Sequence, residues 1–253
     1  MSSSAIRGIR RKKSSLGEVK VAVVGNSSVG KTALTVRFLT KRYIGEYDHQ
    51  SENRYKHEMM VDGEPVIFEI LDTCPKTYIG LSEHFLILTG NELVSPETLQ
   101  WADGFLLVYS ITDRQSFNYI KRVKQQLSEC RNGTNTLTVG SSNNGNPALR
   151  DSGNTSPLPM VLVANKGDMV HLRQISTEEG EILAKDLDCS FAEVAASEQV
   201  AQVAEVFHEV CRKVQAARRN TKQSLLDRVL GNKAAAGLRV YARGKSDSAL
   251  PKD

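Results

Sequence analysis

The sequence predicts an α/β fold, with a mostly parallel sheet, helices on both of its faces and one antiparallel hairpin strand. Three observations support this prediction. After residue 17, strand-like and helix-like patterns alternate along the chain, which is typical of parallel sheets. Two segments, 104–110 and 160–164, are almost continuously apolar, as strands buried on both faces are. The Asp-Gly pair at 62–63 separates two further strand-like segments and favours a type I′ hairpin turn.

The predicted elements follow one another in a regular order. Strands are predicted at 19–25, 55–61, 64–71, 104–110, 160–164 and 191–195, and helices at 31–41, 114–130, 177–187 and 199–217. In the second of these helices, Phe117, Ile120 and Val123 recur at helical spacing. Ser176 is a favourable N-cap for the third, with Glu179 in its first turn.

The chain is long enough for one domain with extensions. Its 253 residues are 40% hydrophobic, which is adequate for a buried core. We predict a basic, flexible N-terminal extension at 1–16, a folded domain at 17–217 and a basic C-terminal tail at 218–253. A stretch rich in Gly, Asn, Ser, Thr and Pro predicts a long loop at 132–159 within the domain. In the tail the apolar periodicity fades, and glycines limit any helix to a turn or two.

Basic residues are concentrated at the two ends of the chain. From Arg212 onward there are 11 Lys and Arg against 3 Asp and Glu, although the net charge is only +4. Such runs are either solvated tails or surfaces that contact an anionic membrane weakly. Nucleic-acid binding is not expected, because no basic patch interleaved with aromatic residues accompanies them.

Targeting signals are not evident. No apolar run approaches the ~20 residues of a membrane span, and we find no signal peptide. No cysteine follows Cys211, so the chain ends without the C-a-a-X box that directs prenylation. The four cysteines show neither disulfide-framework density nor zinc-ligand spacing. We therefore expect a cytoplasmic protein, with a peripheral membrane or nuclear location left open.

Residues 25–32 read Gly-Asn-Ser-Ser-Val-Gly-Lys-Thr, between an apolar strand and a helical pattern. In this G-x-x-x-x-G-K-[ST] phosphate loop, glycines let the backbone N–H groups point inward. Lys31 can then reach the phosphates, and the Thr32 hydroxyl can ligate Mg²⁺. The helix that follows adds its positive dipole end. The predicted nucleotide-binding residues here are Gly25, Asn26, Ser27, Ser28, Val29, Gly30, Lys31, Thr32 and Ala33.

A second motif, Asn165-Lys166-Gly167-Asp168, directly follows the strand at 160–164. It therefore lies at the carboxyl edge of the sheet, where such folds bind ligands. The stretch resembles the guanine-specificity motif of small GTPases. By that resemblance Asp168 accepts from the guanine N1 and N2 donors, Lys166 lies along the base, and Asn165 ties this loop to the phosphate loop. Because this motif occurs together with the phosphate loop, it disfavours a nucleoside kinase-like enzyme that uses ATP.

The segment Glu193-Val194-Ala195-Ala196-Ser197 resembles the fifth motif of the same proteins. In that motif the backbone N–H of the alanine donates to the guanine O6. The resemblance implies that Ala196 makes this contact here, and that its neighbour Ala195 also belongs to the nucleotide-binding site. The usual serine and lysine of the motif are here Ala195 and Ser197.

With these motifs the chain resembles the Ras superfamily, in the Ras-like branch that includes the oestrogen-regulated growth inhibitor relatives. The resemblance covers roughly residues 17–217 and also rests on stretches 36–43, 46–48 and 69–73. It implies the P-loop NTPase G domain, with a six-stranded sheet, about five helices, and GTP, GDP and Mg²⁺ as ligands. It also implies that Tyr43 stacks edge-on against the base and that Asp72 holds Mg²⁺ through water.

The chain departs from the family in both switch segments. After Glu-Tyr-Asp the family has Pro-Thr, whereas this chain has His49 and Gln50. That threonine ligates Mg²⁺; Gln50 could offer an amide oxygen instead, and Ser51 a hydroxyl. The second switch reads Asp-Thr-Cys-Pro-Lys instead of Asp-x-x-Gly-Gln. Pro75 has no N–H for the γ-phosphate, and Lys76 stands at the usual catalytic glutamine position without an acceptor to orient water.

A third departure is Ser27, at a phosphate-loop position where Ras has glycine and where a side chain obstructs an activating arginine.

The sequence thus leaves two hypotheses. In the first, the protein binds guanine nucleotides in signalling with slow or defective GTP hydrolysis, and its switch segments recruit effector or regulatory proteins. In the second, it is an active GTPase that cycles between GTP and GDP. Lys31, Thr32 and Asp72 are compatible with both.

Overall fold

The computed structural model describes residues 17–47, 52–74, 93–131 and 158–239. The predicted N-terminal extension at 1–16, most of the predicted loop at 132–159 and the end of the predicted tail at 240–253 lie outside these ranges. No helix within the described part of the chain is both long and apolar enough to span a membrane.

The described strands form a mixed six-stranded sheet. They are β1 (Gly17–Gly25), β2 (Asn53–Val61), β3 (Glu64–Asp72), β4 (Gly104–Ser110), β5 (Met160–Asn165) and β6 (Ser190–Glu193). Their order in the sheet is β2-β3-β1-β4-β5-β6. Only the β2–β3 pair is antiparallel; the four other pairs of neighbouring strands are parallel. The predicted fold class is therefore confirmed.

The hairpin between β2 and β3 turns at the predicted Asp-Gly pair. Asp62 has a φ of 50° and Gly63 a φ of 82°. A type I′ turn requires positive φ at both central residues, and its twist matches that of the flanking strands. The register then places Asp72, at the end of β3, beside Val23 of β1. The hairpin thus delivers a carboxylate to the carboxyl edge of the central strand.

Helices cover both faces of the sheet. They are α1 (Lys31–Thr40), α2 (Pro96–Trp101), α3 (Arg114–Arg131), α4 (Thr177–Asp186) and α5 (Val200–Arg239), with a 3₁₀ helix at Val170–Leu172. On one face α1 and α5 pack together, and the Phe38 and Phe207 rings stack with centroids 4.3 Å apart. On the other, α3 and α4 contribute Ile120 and Leu183 to a second apolar cluster.

The start of α4 has the predicted cap. The Ser176 hydroxyl accepts from the Glu179 N–H, and the Glu179 carboxylate accepts from the Ser176 N–H. This reciprocal capping box satisfies two N–H groups that an isolated helix end leaves unpaired. Glu179 also pairs with Arg114 at the start of α3, and these hydrogen bonds lower the pKa of its carboxyl to about 2.

Three elements differ from the predictions. β6 ends at Glu193 rather than at 195, because the chain turns after the Val194 N–H bonds to Ala164. Helix α2 was not predicted, although Ser95 caps it and Pro96 begins it. Helix α5 continues to Arg239, well past the predicted end at 217 and the turn or two expected beyond it. Residues 218–239 contain no proline, and each interior glycine costs only about 1 kcal/mol of helix stability.

Candidate nucleotide-binding site

The phosphate loop connects the end of β1 to the start of α1. Ser28 and Gly30 both have positive φ, 60° and 93°, so the backbone of the loop turns tightly at these residues. A Cβ atom on Gly30 would lie 2.3 Å from the Asn165 amide nitrogen. Glycine is therefore required here for two reasons, the left-handed backbone and the close approach of Asn165.

Lys31 is buried under this loop, with 7% of its surface exposed. Its ammonium group donates to the carbonyl oxygens of Gly25 at 3.0 Å and Asn26 at 2.8 Å. Burial lowers the pKa of Lys31, and the nearby carboxylate of Asp72 opposes this shift. A buried cation held by two carbonyls in a Gly-rich loop is well placed to attract an anion.

The N-terminus of α1 adds further donors. Gly30 precedes the helix and has no side chain that could cap its first N–H groups. Those N–H groups, together with the helix dipole, form an anion-binding end. Ala33 and Thr32 lie in this first turn, where Ala33 is buried and Thr32 is half-buried. Val29 is buried, whereas Asn26 is half-buried and Ser27 and Ser28 are exposed.

Two predicted Mg²⁺ residues come from neighbouring elements. Asp72 ends β3 and is 2% exposed, and its charge acts on Lys31 at the start of α1. Thr32 follows Lys31 in the same turn. Among the described residues, no three His, Cys, Asp or Glu side chains cluster as a metal site. A hydroxyl and one carboxylate suit Mg²⁺, which takes few protein ligands and completes its octahedron with water and phosphate oxygens.

Asn165 ties three segments together at the end of β5. Its side chain is almost fully buried, and its amide nitrogen donates to the carbonyl oxygen of Val29 in the phosphate loop at 2.8 Å. Its amide oxygen accepts from the Ala196 N–H at 3.2 Å. The phosphate loop, the segment after β5 and the segment after β6 are thus joined through one amide.

The segment after β5 turns sharply towards solvent. Lys166 is half-buried with a φ of 64°, and the Gly167 N–H donates to the Val194 carbonyl at 3.0 Å. Asp168 is exposed. Its carboxylate can therefore accept hydrogen bonds from a ligand at the sheet edge.

The segment after β6 contains two buried alanines. Ala195 and Ala196 are 1% and 4% exposed. The Ala195 N–H donates to the Gln199 side-chain oxygen at 3.1 Å. Just before this turn, Glu193 pairs with Arg173 through two hydrogen bonds of 2.9 and 2.5 Å. Because Arg173 follows the segment after β5, the ion pair fixes the two turns relative to each other.

The remaining predicted residues belong to the two switch segments. Tyr43 is 46% exposed, and its ring meets Tyr47 edge-on at 6.2 Å. The Tyr47 hydroxyl accepts from the Ile44 N–H at 3.1 Å. Gln50 and Lys76, with His49, Ser51 and Pro75, lie outside the described residues.

Sequence reasoning missed three side chains that hold this site together, Arg37, Arg173 and Gln199. Arg37 lies within a stretch that carried the family resemblance, yet no role was predicted for it. Gln199 is four residues after Ala195, a spacing compatible with a helix N-terminus contact but not diagnostic of one. Arg173 reaches Glu193 across 20 residues, and no local pattern marks such a contact.

Comparison with known proteins identifies the family. The Ras family model matches residues 20–146 and 146–216. Ras-like protein family member 11B from Danio rerio is 38% identical over 193 residues, which is 76% of this chain and 68% of that protein. Ras-related and estrogen-regulated growth inhibitor from Homo sapiens is 39% identical over 201 residues, 79% of this chain and 83% of that protein.

The human Ras-like protein family member 11B is 37% identical over 196 residues, 78% of this chain and 68% of that protein. The sheet order, the phosphate loop and these matches agree with one another. The chain therefore belongs to the Ras family of small GTPases.

Proposed function

We propose that this Ras-like protein binds GTP and GDP with Mg²⁺ and acts in signalling with slow or defective GTP hydrolysis. The observation that carries the proposal is a contrast between two parts of one site. The residues proposed to bind phosphate and Mg²⁺ lie together at the carboxyl edge of the sheet, whereas the residues that follow Asp72 lack the chemistry that orients water. Such a protein would keep GTP bound for long periods, and its switch segments would recruit effector or regulatory proteins.

The binding half of the proposal rests on the loop geometry. Lys31 and the α1 N-terminus offer positive potential for phosphates, and Thr32 with Asp72 offers oxygen ligands for Mg²⁺. Asp168 is exposed at the same edge and accepts, in the proposal, from the guanine N1 and N2 donors. A polar pocket built for such hydrogen bonds discriminates roughly 10⁴-fold against a base that cannot make them.

The hydrolysis half rests on residue chemistry in the second switch. Asp72 is followed by Thr73, Cys74, Pro75 and Lys76. Proline cannot donate an N–H to the γ-phosphate, as the family glycine does. Lysine has three donors and no acceptor, so it cannot orient an attacking water as glutamine does. Its positive charge would instead stabilise the bound γ-phosphate in the ground state.

Ser27 supports the same conclusion. It stands in the phosphate loop where Ras has glycine, and it is exposed. Its N–H donates to the Asn26 side chain at 2.9 Å. A side chain here obstructs an arginine supplied by an activating protein, a contribution worth about 10³–10⁵ in rate.

Reversal of these departures tests the proposal. The triple variant Ser27→Gly, Pro75→Gly, Lys76→Gln restores the family residues at all three positions. We expect it to hydrolyse loaded GTP at least about tenfold faster than the unmodified protein, towards the ~10⁻⁴ s⁻¹ typical of unassisted small GTPases. The matched control is Lys41→Gln, which makes the same side-chain change at an exposed position at the end of α1.

Equal rates for the unmodified protein and the triple variant, both near the usual intrinsic rate, would contradict slow hydrolysis. That result would favour the alternative, an active switch that cycles between GTP and GDP. The alternative is supported by the intact Lys31, Thr32 and Asp72, and it would require Gln50 or Ser51 to complete the metal site.

A further inference from the structure

Helix α5 continues far beyond the core of the domain. Val214 is the last of its residues described as buried, and the helix runs on to Arg239. At ~1.5 Å per residue, the part after Val214 is about 37 Å long. We propose that residues 220–239, the outer helix, form an amphipathic element that binds an anionic membrane surface together with the basic segment at 7–13. This inference does not depend on nucleotide binding.

Four of the five large apolar residues in the outer helix lie on one face. They are Leu225, Leu226, Val229 and Leu230. At ~100° per residue, these positions fall within about 140° of the helix circumference. A short apolar face of this kind is typical of helices that lie in the membrane interface rather than span the bilayer.

Positive charge dominates the outer helix. Lys222 precedes Leu226 by four positions and Lys233 follows Val229 by four, so both lysines lie on the same helix face as the apolar residues. The outer helix contains four basic residues and one acidic residue, which are Lys222, Arg228, Lys233, Arg239 and Asp227. Each basic residue close to an anionic leaflet favours binding roughly fivefold.

The structure brings a second basic segment to the start of the outer helix. The Arg218 guanidinium donates to the Glu18 carbonyl near the start of β1, so α5 passes the edge of the sheet where the parallel strands begin. The five basic residues of segment 7–13 end at Lys13, four residues before Gly17. Four residues span at most about 14 Å. Both basic segments therefore connect to the domain at the same edge.

Acidic side chains at this edge are paired with the residues that precede the outer helix. Arg218 pairs with Asp103 at 2.7 Å, and Arg219 pairs with Glu64 at 3.5 Å. These two arginines neutralise carboxylates that would otherwise repel an anionic surface. The domain therefore opposes the approach of such a surface less than its acidic residues alone would.

The arrangement fits a membrane better than a groove in a protein. An extended anionic surface can contact both basic segments at once, whereas a groove that closes around one helix contacts only the outer helix. The candidate nucleotide site lies at the opposite edge, since β1 runs about 26 Å from Gly17 to Gly25. Membrane binding through the outer helix would thus leave that site open.

The test measures sedimentation of the full-length protein with vesicles of phosphatidylcholine alone and of phosphatidylcholine with phosphatidylserine at about 2:1. We expect at least about tenfold tighter binding to the anionic vesicles, with release at high salt. The double variants Leu226→Gln with Leu230→Gln, and Lys222→Gln with Lys233→Gln, should each bind the anionic vesicles at least about tenfold more weakly. Glutamine keeps a helix propensity close to that of leucine and lysine.

The matched control is Lys121→Gln with Arg122→Gln, which removes two charges from exposed positions of α3, on the opposite face of the sheet from the core part of α5. It should bind like the unmodified protein. Should the double leucine variant not fold, Leu230→Gln alone replaces it.

Equal binding to both kinds of vesicle, or none to either, would overturn the proposal. Loss of binding in the lysine variant but not in the leucine variant would overturn the role of the apolar face. Calmodulin is tested in parallel, because its groove also takes basic amphipathic helices. Binding to calmodulin without binding to anionic vesicles would show that the outer helix fits a protein groove instead, and would likewise overturn the proposal.

Discussion

At the scale of single residues, two buried side chains of the candidate site, Asn165 and Lys31, each hold the loop architecture and lie where a ligand would bind. Asn165 holds the phosphate loop with one end of its amide and the Ala196 N–H with the other. Lys31 is held by two carbonyls while its charge remains beside the phosphate loop. Removal of either group would therefore disturb both the loop architecture and ligand binding, so neither gives a clean test of specificity.

Asp168 does give such a test, because it is exposed and the described fold does not rely on its side chain. Asp168→Asn replaces a carboxylate acceptor with an amide that both accepts and donates. Xanthine carries a carbonyl at C2 where guanine carries an amino group, so the amide should favour xanthine. We expect the variant to lose at least about 100-fold in GDP affinity, because one hydrogen bond is lost and the amide NH₂ group then faces the guanine amino group, and to gain affinity for xanthosine diphosphate.

Competition of both nucleotides against a fluorescent GDP analogue would measure this change. Asp188→Asn, at an exposed position away from the site, serves as the control. Retention of full GDP preference by Asp168→Asn would show that Asp168 does not contact the base.

At the scale of elements, the features that depend on short stretches of sequence were predicted correctly. The hairpin turn, the α4 cap and the buried strands follow from short patterns, and all of them are present. Helix α2 and the extension of α5 were missed. Helix α2 has only six residues, too few for a clear period, and α5 continues through Gly231 and Gly237, which destabilise it too little to end it. The Arg37–Ser197 contact spans 160 residues of sequence, beyond any local pattern.

Helix α4 offers a test of packing. A Cβ on Gly180 would lie 2.5 Å from the Tyr109 hydroxyl and 2.7 Å from the Phe191 ring. Tyr109 is 1% exposed and packs edge-on against Phe117, so it has little room to move. Alanine gains about 1 kcal/mol of helix propensity over glycine. We expect Gly180→Ala nevertheless to lower the free energy of unfolding by about 1–3 kcal/mol, because overpacking outweighs that gain.

Urea denaturation measures this difference. The control is Gly17→Ala at the start of β1, where an added Cβ meets nothing within 4 Å. That variant should unfold within about 0.5 kcal/mol of the unmodified protein. A Gly180→Ala protein more stable than the unmodified one would show that the Tyr109 and Phe191 rings shift without cost.

At the scale of the whole molecule, the structure bears on the basic C-terminal segment. Arg212 pairs with Asp62 at 3.3 Å, Arg218 with Asp103 at 2.7 Å, and Arg219 with Glu64 at 3.5 Å. Part of the positive charge that the sequence left open to a membrane therefore faces acidic groups of the domain itself. These pairs are largely exposed, and each contributes roughly 0–1 kcal/mol to stability. Weak membrane contact by the remaining basic residues stays a prediction.

The fold could thus be predicted from sequence, because strands, turns and helix caps require particular residue types at fixed spacing. The base-recognition role of the segments after β5 and β6 stays a prediction. The contact of Asn165 with the phosphate loop was also expected, from the family resemblance, and it is present. The contacts of Arg37 and Arg173 could not be predicted, since these side chains reach their partners only after the sheet has formed. The proposed effect of Pro75 and Lys76 on hydrolysis follows from the chemistry of these residues, which lie outside the described ranges.

The most direct test of the central claim is to identify the nucleotide bound to the purified protein and to follow the hydrolysis of bound GTP over time in the presence of Mg²⁺. The proposal predicts stoichiometric guanine nucleotide, with GTP that persists for many hours and decays well below ~10⁻⁴ s⁻¹. Conversion to GDP at or above that rate would contradict slow hydrolysis. Failure to retain or bind any guanine nucleotide would contradict the assignment of the site.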